Sequence, residues 1–317
     1  MTAVRARGRR LLSILGVAVG ALVLLLAVLY AARNLEHAPL DDAARRGAPG
    51  SFVRLAEGVT HYELTGADSA RTVVLLSGMS VPYYLWDPTR DALTAAGYRV
   101  LRYDYYGRGL SDRPDVEYDL NTYDQQLSGL LDTLKIRGPI DLAGVSMGGV
   151  VAADFANRHP ARVHSLTLVD PGFAVVPRAP FPLSVPGLGE YAMTMLAPVL
   201  AKGQSDDFLH PERYPDWVPR YRQQMRYYGF RRALLRTMRG DAMRPSADAF
   251  TTLRGSSVPI LLVWGREDQT VPFARSAGVM QAFPRAEFHA IDSAGHLPHY
   301  ERPEVVDTLL LRFLRAR

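Results

Sequence analysis

Residues 140–149 (IDLAGVSMGG) carry the clearest local signal in the chain. They begin as an apolar, strand-like run, and a helical pattern starts directly afterwards at Met147. Between the two lies Ser146, in the pattern Gly-X-Ser-X-Gly that Gly144 and Gly148 complete. A strand that turns this sharply into a helix holds the serine at a strained backbone angle, and small flanking residues let the backbone approach itself closely. The pattern therefore predicts a candidate nucleophile at the end of a strand.

Short apolar runs and helical patterns alternate across residues 51–171 and 255–317, which we predict to form one core. The further strand-like runs lie at 71–77, 99–103, 165–169, 259–264 and 287–291, and the helical patterns at 87–96, 122–134, 147–158, 272–282 and 303–314. Nearly continuous apolar strands between helices predict an α/β fold with a mostly parallel, doubly wound sheet. Such a sheet places functional residues at the carboxyl ends of its strands.

Residues 172–254 interrupt this alternation. They show no strand signal, and a proline-rich apolar opening precedes helical patterns at 190–202 and 219–239. An insertion of this size between two strands predicts a helical lid over the edge of the sheet. Its apolar residues Phe173, Val176 and Met193 are candidate substrate contacts, although packing between lid and core explains such residues equally well.

The candidate base and acid follow later strand-like runs. A serine hydroxyl becomes a good nucleophile when a base removes its proton, and a carboxylate must hold that base in one tautomer. Asp268 and His296 each lie just past a strand-like run, and the chain order Ser, Asp, His is the order that this architecture uses. Glu267 and Asp170 compete with Asp268 for the role of the acid.

A tetrahedral oxyanion needs two backbone donors. We expect one at Met147, where the helix begins, and the other at Met79, in the loop after the first core strand. His299 follows His296 at a helical spacing, but Pro298 intervenes and no carboxylate-rich cluster accompanies the pair, so we predict no metal site. The chain contains no cysteine, which excludes disulfide scaffolds and cysteine-ligated zinc proteins.

The net charge of +5 comes from the first 33 residues, which hold five arginines and no acidic residue. Without them the chain has 32 basic and 32 acidic residues. Binding to nucleic acid needs a basic face on the folded domain, so a neutral remainder argues against a DNA or RNA partner.

A basic flank at residues 1–10 precedes a run without charge at residues 11–32, and residues 33–50 have the composition of a linker. As a helix, the run extends about 33 Å, which is enough to cross the hydrocarbon core of a bilayer of about 30 Å. We predict a single-pass transmembrane anchor with a cytoplasmic N-terminus and an extracytoplasmic catalytic domain, because the arginines precede the run. Secretion after cleavage of a signal peptide is the alternative.

Taken together, residues 52–317 resemble the α/β-hydrolase fold superfamily, in the lid-bearing branch of serine hydrolases that includes monoacylglycerol lipases, carboxylesterases and carbon–carbon bond hydrolases. The segments that carry the resemblance are 75–88 (LLSGMSVPYYLWDP), 104–114 (DYYGRGLSDRP), 143–149 (AGVSMGG), 262–272 (LVWGREDQTVP) and 294–306 (AGHLPHYERPEVV).

The resemblance implies that Ser146 is the nucleophile, that Asp268 and His296 are the acid and the base, and that Met79 and Met147 are the oxyanion donors. Family members commonly have His-Gly where this chain has Ser77 and a glycine. This departure affects the bonding that braces the oxyanion loop, whereas the donor amide belongs to the backbone and survives the change. No cofactor is implied.

The activity expected first is hydrolysis of carboxylic esters through an acyl-enzyme, with a small-molecule ester as substrate. Lipid-derived esters such as monoacylglycerols are favoured, because an anchored enzyme meets substrates dissolved in the membrane. A serine at this position disfavours epoxide hydrolases and haloalkane dehalogenases, which need a carboxylate there. The alternatives are a carbon–carbon bond hydrolase of ring-cleavage products, a peptidase of the proline iminopeptidase kind, and a non-catalytic receptor or scaffold on the same fold.

Overall fold

A computed structural model describes residues 2–172, 179–243, 250, 252–253 and 255–317. Its sheet has eight strands within these ranges: β1 (Ser51–Arg54), β2 (Val59–Thr65), β3 (Thr72–Leu76), β4 (Arg99–Tyr103), β5 (Ile140–Val145), β6 (Val163–Val169), β7 (Ile260–Gly265) and β8 (Glu287–Ile291). The strand order is β1-β2-β4-β3-β5-β6-β7-β8. All pairs from β4 to β8 are parallel, and β2 pairs antiparallel with both β1 and β4. The predicted α/β fold with a mostly parallel sheet is confirmed.

The helices are α1 (Thr2–Arg33), α2 (Asp42–Arg45), α3 (Asp87–Ala95), α4 (Leu120–Thr133), α5 (Met147–Arg158), α6 (Leu188–Gly203), α7 (Trp217–Met225), α8 (Phe230–Arg239), α9 (Ser276–Ala282), α10 (Pro298–Glu301) and α11 (Pro303–Arg315). Helices α6, α7 and α8 lie between β6 and β7, so the insertion is helical, as the sequence predicts. Its division from the core as a separate lid stays a prediction.

Alternate residues of the central strands enter two different hydrophobic cores. On β3, Val74 and Leu76 pack into one cluster, which also holds apolar residues of α4 and α5. Their neighbours Val73 and Leu75 enter the other cluster, which holds residues of α3, α11 and the insertion. Both faces of the sheet are therefore covered, which is why its strands have nearly continuous apolar sequences.

Helix α1 contains one segment, Leu11–Arg33, that is long and apolar enough to cross a membrane, and none of it is buried in the protein. A membrane anchor and a signal sequence both fit that description. The linker predicted at residues 33–50 packs against the insertion: Glu36 forms an ion pair with Arg231 at 3.2 Å, and the N–H groups of His37 and Ala38 donate to the Arg226 carbonyl at 2.8 and 3.0 Å.

Candidate active site

Ser146 lies at the sharp turn from β5 into α5. Its φ of 55° and ψ of −122° are in a region that residues with a side chain rarely adopt. Backbone hydrogen bonds hold it there: its N–H donates to Val169 at 3.0 Å, and its carbonyl accepts from Gly149 at 3.0 Å and from Gly172 at 2.9 Å. The strained angle is therefore fixed by the two strands and the loop around it.

The two glycines of the motif are needed because the backbone approaches itself too closely for a side chain. A Cβ atom on Gly144 would lie 2.2 Å from the Gly148 carbonyl oxygen. One on Gly148 would lie 2.3 Å from the Leu76 carbonyl oxygen, in the strand next to β5. The Gly-X-Ser-X-Gly pattern thus follows from the geometry of the turn itself.

His296 and Asp268 lie together in the loops that follow β8 and β7. The imidazole Nδ1 of His296 donates to Asp268 Oδ2 at 2.8 Å, and both side chains are buried. The other oxygen of Asp268 accepts the N–H groups of Thr270 and Val271, both at 2.8 Å. Three donors therefore fix the carboxylate and the tautomer of the imidazole.

Burial tends to lower the pKa of His296, but the charge and hydrogen bond of Asp268 outweigh it, with a further contribution from Asp207. The net result is a pKa above the ordinary value of 6.5. Stabilisation of the protonated imidazole suits a base that must accept a proton during the reaction.

The two competing acids occupy other positions. Glu267 points at the backbone, because its carboxylate accepts the Ala294 N–H at 3.2 Å. Asp170 lies close to the other two groups, with one ligand atom each of Asp170, Asp268 and His296 all within 4.8 Å of one another. Burial and the neighbouring Asp268 raise the pKa of Asp170 well above its ordinary value. These groups have the donor types of a metal site, but the bond between His296 and Asp268 favours a proton relay.

Ser146 and His296 both line a cavity of about 190 Å³. Its described lining is mostly apolar and consists of Gly78, Met79, Ser80, Val81, Leu85, Val145, Ser146, Met147, Gly172, Gln204, Asp207, Ala242, Thr270, Val271, His296 and Leu297. Both expected oxyanion donors are in this wall, since Met147 begins α5 and Met79 follows β3. A Cβ atom on Gly78 would lie 3.6 Å from the Ser146 Cβ, so the Met79 loop passes close to the serine.

Residues 73–308 match the model of the alpha/beta hydrolase family, which is more than half of the chain. The chain belongs to that family. Among its relatives, a 2-hydroxy-6-oxononadienedioate/2-hydroxy-6-oxononatrienedioate hydrolase of Paraburkholderia phymatum is 30% identical over 302 residues, covering 84% of this chain and 96% of the relative.

A second relative, the AB hydrolase superfamily protein YisY of Bacillus subtilis, is 25% identical and covers 83% of this chain and 98% of the relative. Among solved structures, an enol-lactonase of Burkholderia xenovorans has a TM-score of 0.70 at 24% identity, covering 84% of this chain and all of the lactonase. The haloalkane dehalogenase DatA of Agrobacterium tumefaciens has a TM-score of 0.73 at 23% identity, covering 89% and 100%. At these identities the two structures support the fold alone.

In this alpha/beta hydrolase the loop that contains Met79 is braced by Arg108, which sequence reasoning missed. Its Nε donates to the Met79 carbonyl at 2.7 Å, and a second guanidinium nitrogen donates to Thr237 of α8 at 2.7 Å. The Ser77 hydroxyl, which replaces the family's usual histidine, is buried without a hydrogen-bond partner in the described part of the chain. The brace therefore comes from the loop after β4 and from the insertion.

Asp207 is a second residue that the sequence did not single out. Its carbonyl accepts the His296 N–H at 2.8 Å, and its carboxylate accepts the Thr270 hydroxyl at 2.7 Å. Burial raises the pKa of Asp207, and the nearby His296 partly counters that effect. It lies in the insertion, far from any strand signal, so the sequence gives no local pattern that would find it.

Of the three candidate substrate contacts, only Met193 lies among the described residues. Met193 of α6 is buried in the hydrophobic core with Ala197, outside the described lining of the cavity. This is the core-packing alternative that its sequence pattern allowed. Phe173 and Val176 lie outside the described residues.

Proposed function

We propose that this hydrolase uses Ser146 as its nucleophile, His296 as the base and Asp268 as the acid that orients the base. The observation that carries the proposal is the 2.8 Å bond between His296 Nδ1 and Asp268 Oδ2 in the wall of the cavity where the strained Ser146 lies. With Nδ1 occupied by its proton, Nε2 is free to accept the serine proton.

In the reaction that we infer, His296 takes the proton of Ser146 while the serine oxygen attacks a carbonyl carbon. The N–H groups of Met79 and Met147 stabilise the oxyanion, and the bond to the leaving group breaks as His296 returns its proton to that group. Water, deprotonated by the same histidine, then attacks the acyl-enzyme and releases a carboxylic acid and the free serine.

The first candidate substrate class is a ring-cleavage product in which the bond to be broken joins a carbonyl carbon to another carbon. Its support is the relatives, of which several at 28–30% identity are named as 2-hydroxy-6-oxononadienedioate/2-hydroxy-6-oxononatrienedioate hydrolases. Attack of the Ser146 oxygen on the carbonyl carbon would break the bond to the second carbon. The fragment that holds the second carbon keeps the electron pair, takes a proton from His296 and is released as an enol. These relatives favour this class over the monoacylglycerols that the sequence suggested first.

The second candidate class is an uncharged carboxylic ester, and the cavity itself favours it. Among the described residues that line the cavity, none is lysine or arginine, and Asp207 contributes a carboxyl group. A substrate with two carboxylates would find no cationic partner on that part of the wall. A neutral ester has no charge that needs a cationic partner, so it can bind in the same cavity without this cost.

A fluorophosphonate probe and two substrate series test these proposals. We expect the probe to label the wild-type protein and not Ser146→Ala, and equal labelling of both would remove Ser146 from its role. The kcat/KM values for p-nitrophenyl esters of graded chain length, compared with those for ring-cleavage diketone acids, then rank the two substrate classes. A higher value for every ester would reject the first class, and a higher value for the diketone acids would reject the second.

For location, we propose that α1 anchors the enzyme in a membrane, with its N-terminus in the cytoplasm and the catalytic domain on the other side. The apolar span and the arginines that precede it support this arrangement. Cleavage as a signal peptide is the alternative. A reporter that needs the periplasm, fused after Arg317, should be active, and an inactive fusion would reverse the orientation. The mass of the purified protein shows whether α1 is retained.

A further inference from the structure

We propose that the insertion has its own membrane-contacting surface, formed by Phe181, Val185, Leu188, Leu196 and Val199, which enters the bilayer beside α1. We call these five residues the insertion face. The inference rests on the proposed anchoring by α1 and goes beyond it, because it places part of the catalytic domain in contact with lipid.

The insertion face is an exposed group of large apolar side chains. Phe181 is 77% exposed and Val199 is 62% exposed, and the other three members are also open to solvent. On α6, the opposite side packs into the hydrophobic core through Met193 and Ala197. The charged residues of this helix, Glu190 and Lys202, lie near its two ends. Exposed apolar groups of this kind mark surfaces that contact a membrane or another protein.

The insertion face is continuous with the membrane-spanning helix. Tyr30 of α1 stacks on Tyr191 of α6 with ring centroids 6.2 Å apart, and the Tyr191 hydroxyl donates to the Leu26 carbonyl at 3.3 Å. Leu26 lies seven residues before Arg33 at the end of α1, which is about 10 Å along a helix axis. If Arg33 lies at the membrane border, Tyr191 lies within the depth that interfacial helices reach, about 5–10 Å.

The connection between α1 and the insertion holds this orientation. The ion pair of Glu36 with Arg231 and the two hydrogen bonds to the Arg226 carbonyl tie the chain directly after α1 to the insertion. The Arg231 guanidinium also lies over the Tyr30 ring, 5.6 Å from its centre. The same side of the insertion therefore always faces the membrane that α1 crosses.

The occupant that fits the insertion face is the acyl and headgroup boundary of a phospholipid bilayer. All five residues are uncharged, and the most exposed is a phenylalanine, which suits that boundary. The same bilayer already surrounds α1 next to it. Helix α6 extends from this contact toward the active site, because Gln204 directly after it lies in the cavity wall.

Depth-dependent fluorescence on the full-length protein tests the proposal. Because the chain has no cysteine, each introduced cysteine carries one NBD probe at a known position. Phe181→Cys and Val199→Cys report on the insertion face, and Leu24→Cys reports on the span of α1. Arg137→Cys is the matched exposed control in the loop before β5, at the end of that strand opposite Ser146. Each variant is reconstituted into phosphatidylcholine vesicles with and without doxyl-labelled lipid.

We expect doxyl lipid to quench the probes at 181 and 199 several-fold more than the probe at 137, with the probe at 24 quenched most. Quenching at 24 while 181 and 199 behave like 137 would overturn the insertion face and leave the anchor intact. Absence of quenching at 24 would reject the anchor and the insertion face together. Blue-shifted but unquenched probes at 181 and 199 would mean that protein, such as a second copy of the chain, covers this face instead of lipid.

Discussion

Replacement of Asp268 by asparagine tests the proposed proton relay without changing the shape of the site. In the native protein Oδ1 accepts two backbone N–H groups, from Thr270 and Val271, and Oδ2 accepts the bond from His296. Asparagine has one acceptor oxygen and one NH₂ group. The two backbone donors select the oxygen for the first position, so the NH₂ group must face the imidazole.

The expected loss of activity follows from the imidazole tautomer. Facing an NH₂ donor, Nδ1 of His296 must accept a hydrogen bond, and the neutral ring then carries its proton on Nε2. That nitrogen can no longer take the proton of Ser146. The same change in a Ser-His-Asp triad lowers kcat about 10⁴-fold, which at about 1.4 kcal/mol per factor of ten is a loss of about 5 kcal/mol of transition-state stabilisation.

The assay compares kcat for a p-nitrophenyl ester and the rate of fluorophosphonate labelling in wild type and Asp268→Asn, with thermal melting by circular dichroism as the check on folding. Glu267→Gln is the matched control, because it makes the same chemical change in the neighbouring acid. Among the described contacts, the carboxylate of Glu267 accepts a hydrogen bond only from the Ala294 N–H. We expect that control to keep kcat within a few-fold of wild type. A folded Asp268→Asn variant that loses less than tenfold in both rates would refute the reasoning.

Three further predictions concern the turn, the base and a buried acid. Gly148→Ala should lower the free energy of unfolding by about 1–3 kcal/mol or more, the typical cost of overpacking, because its Cβ would lie 2.3 Å from a carbonyl oxygen. Gly138→Ala is the control: open space surrounds this position, so the stability measured by urea unfolding should change little. Equal stabilities would contradict the steric argument. Because the active form of His296 is neutral and its pKa is raised, kcat/KM should fall as the pH drops through a midpoint above 6.5, and a midpoint below 6 would contradict the assigned environment. Burial raises the pKa of Asp307 to about 6, so the native state loses stability as the pH rises from about 4 to 7. Asp307→Asn should therefore add about 1–3 kcal/mol to the free energy of unfolding at pH 7 and little at pH 4. An equal gain at both pH values would exclude burial of this carboxyl as the cause.

The centre of the fold was predictable from the sequence because each central strand is buried on both faces. The sequences of strands β1 and β2 contain no such continuous apolar run. Strand β1 has four residues, which are partly or fully exposed, and β2 is half-buried, as antiparallel strands at the edge of a sheet commonly are. The apolar character of Met193 indicated an apolar environment, but it could not show whether the side chain faces the cavity or the hydrophobic core. Arg108 was missed because it reaches Met79 from 29 residues along the chain, a relation that no local pattern encodes.

The choice between Asp268 and Asp170 shows what the sequence could not decide. Both follow strands, both are buried, and two carboxylates this close in a buried site cannot both be ionised without a large cost. Asp268 accepts hydrogen bonds from His296, Thr270 and Val271, whereas Asp170 accepts one backbone hydrogen bond, from the Gly265 N–H at 2.9 Å, and its side chain also bonds to Asp268. Burial, followed by the neighbouring Asp268, accordingly raises the pKa of Asp170 well above its ordinary value. Backbone donors supplied by the fold, rather than position in the sequence, decide which carboxyl serves the histidine.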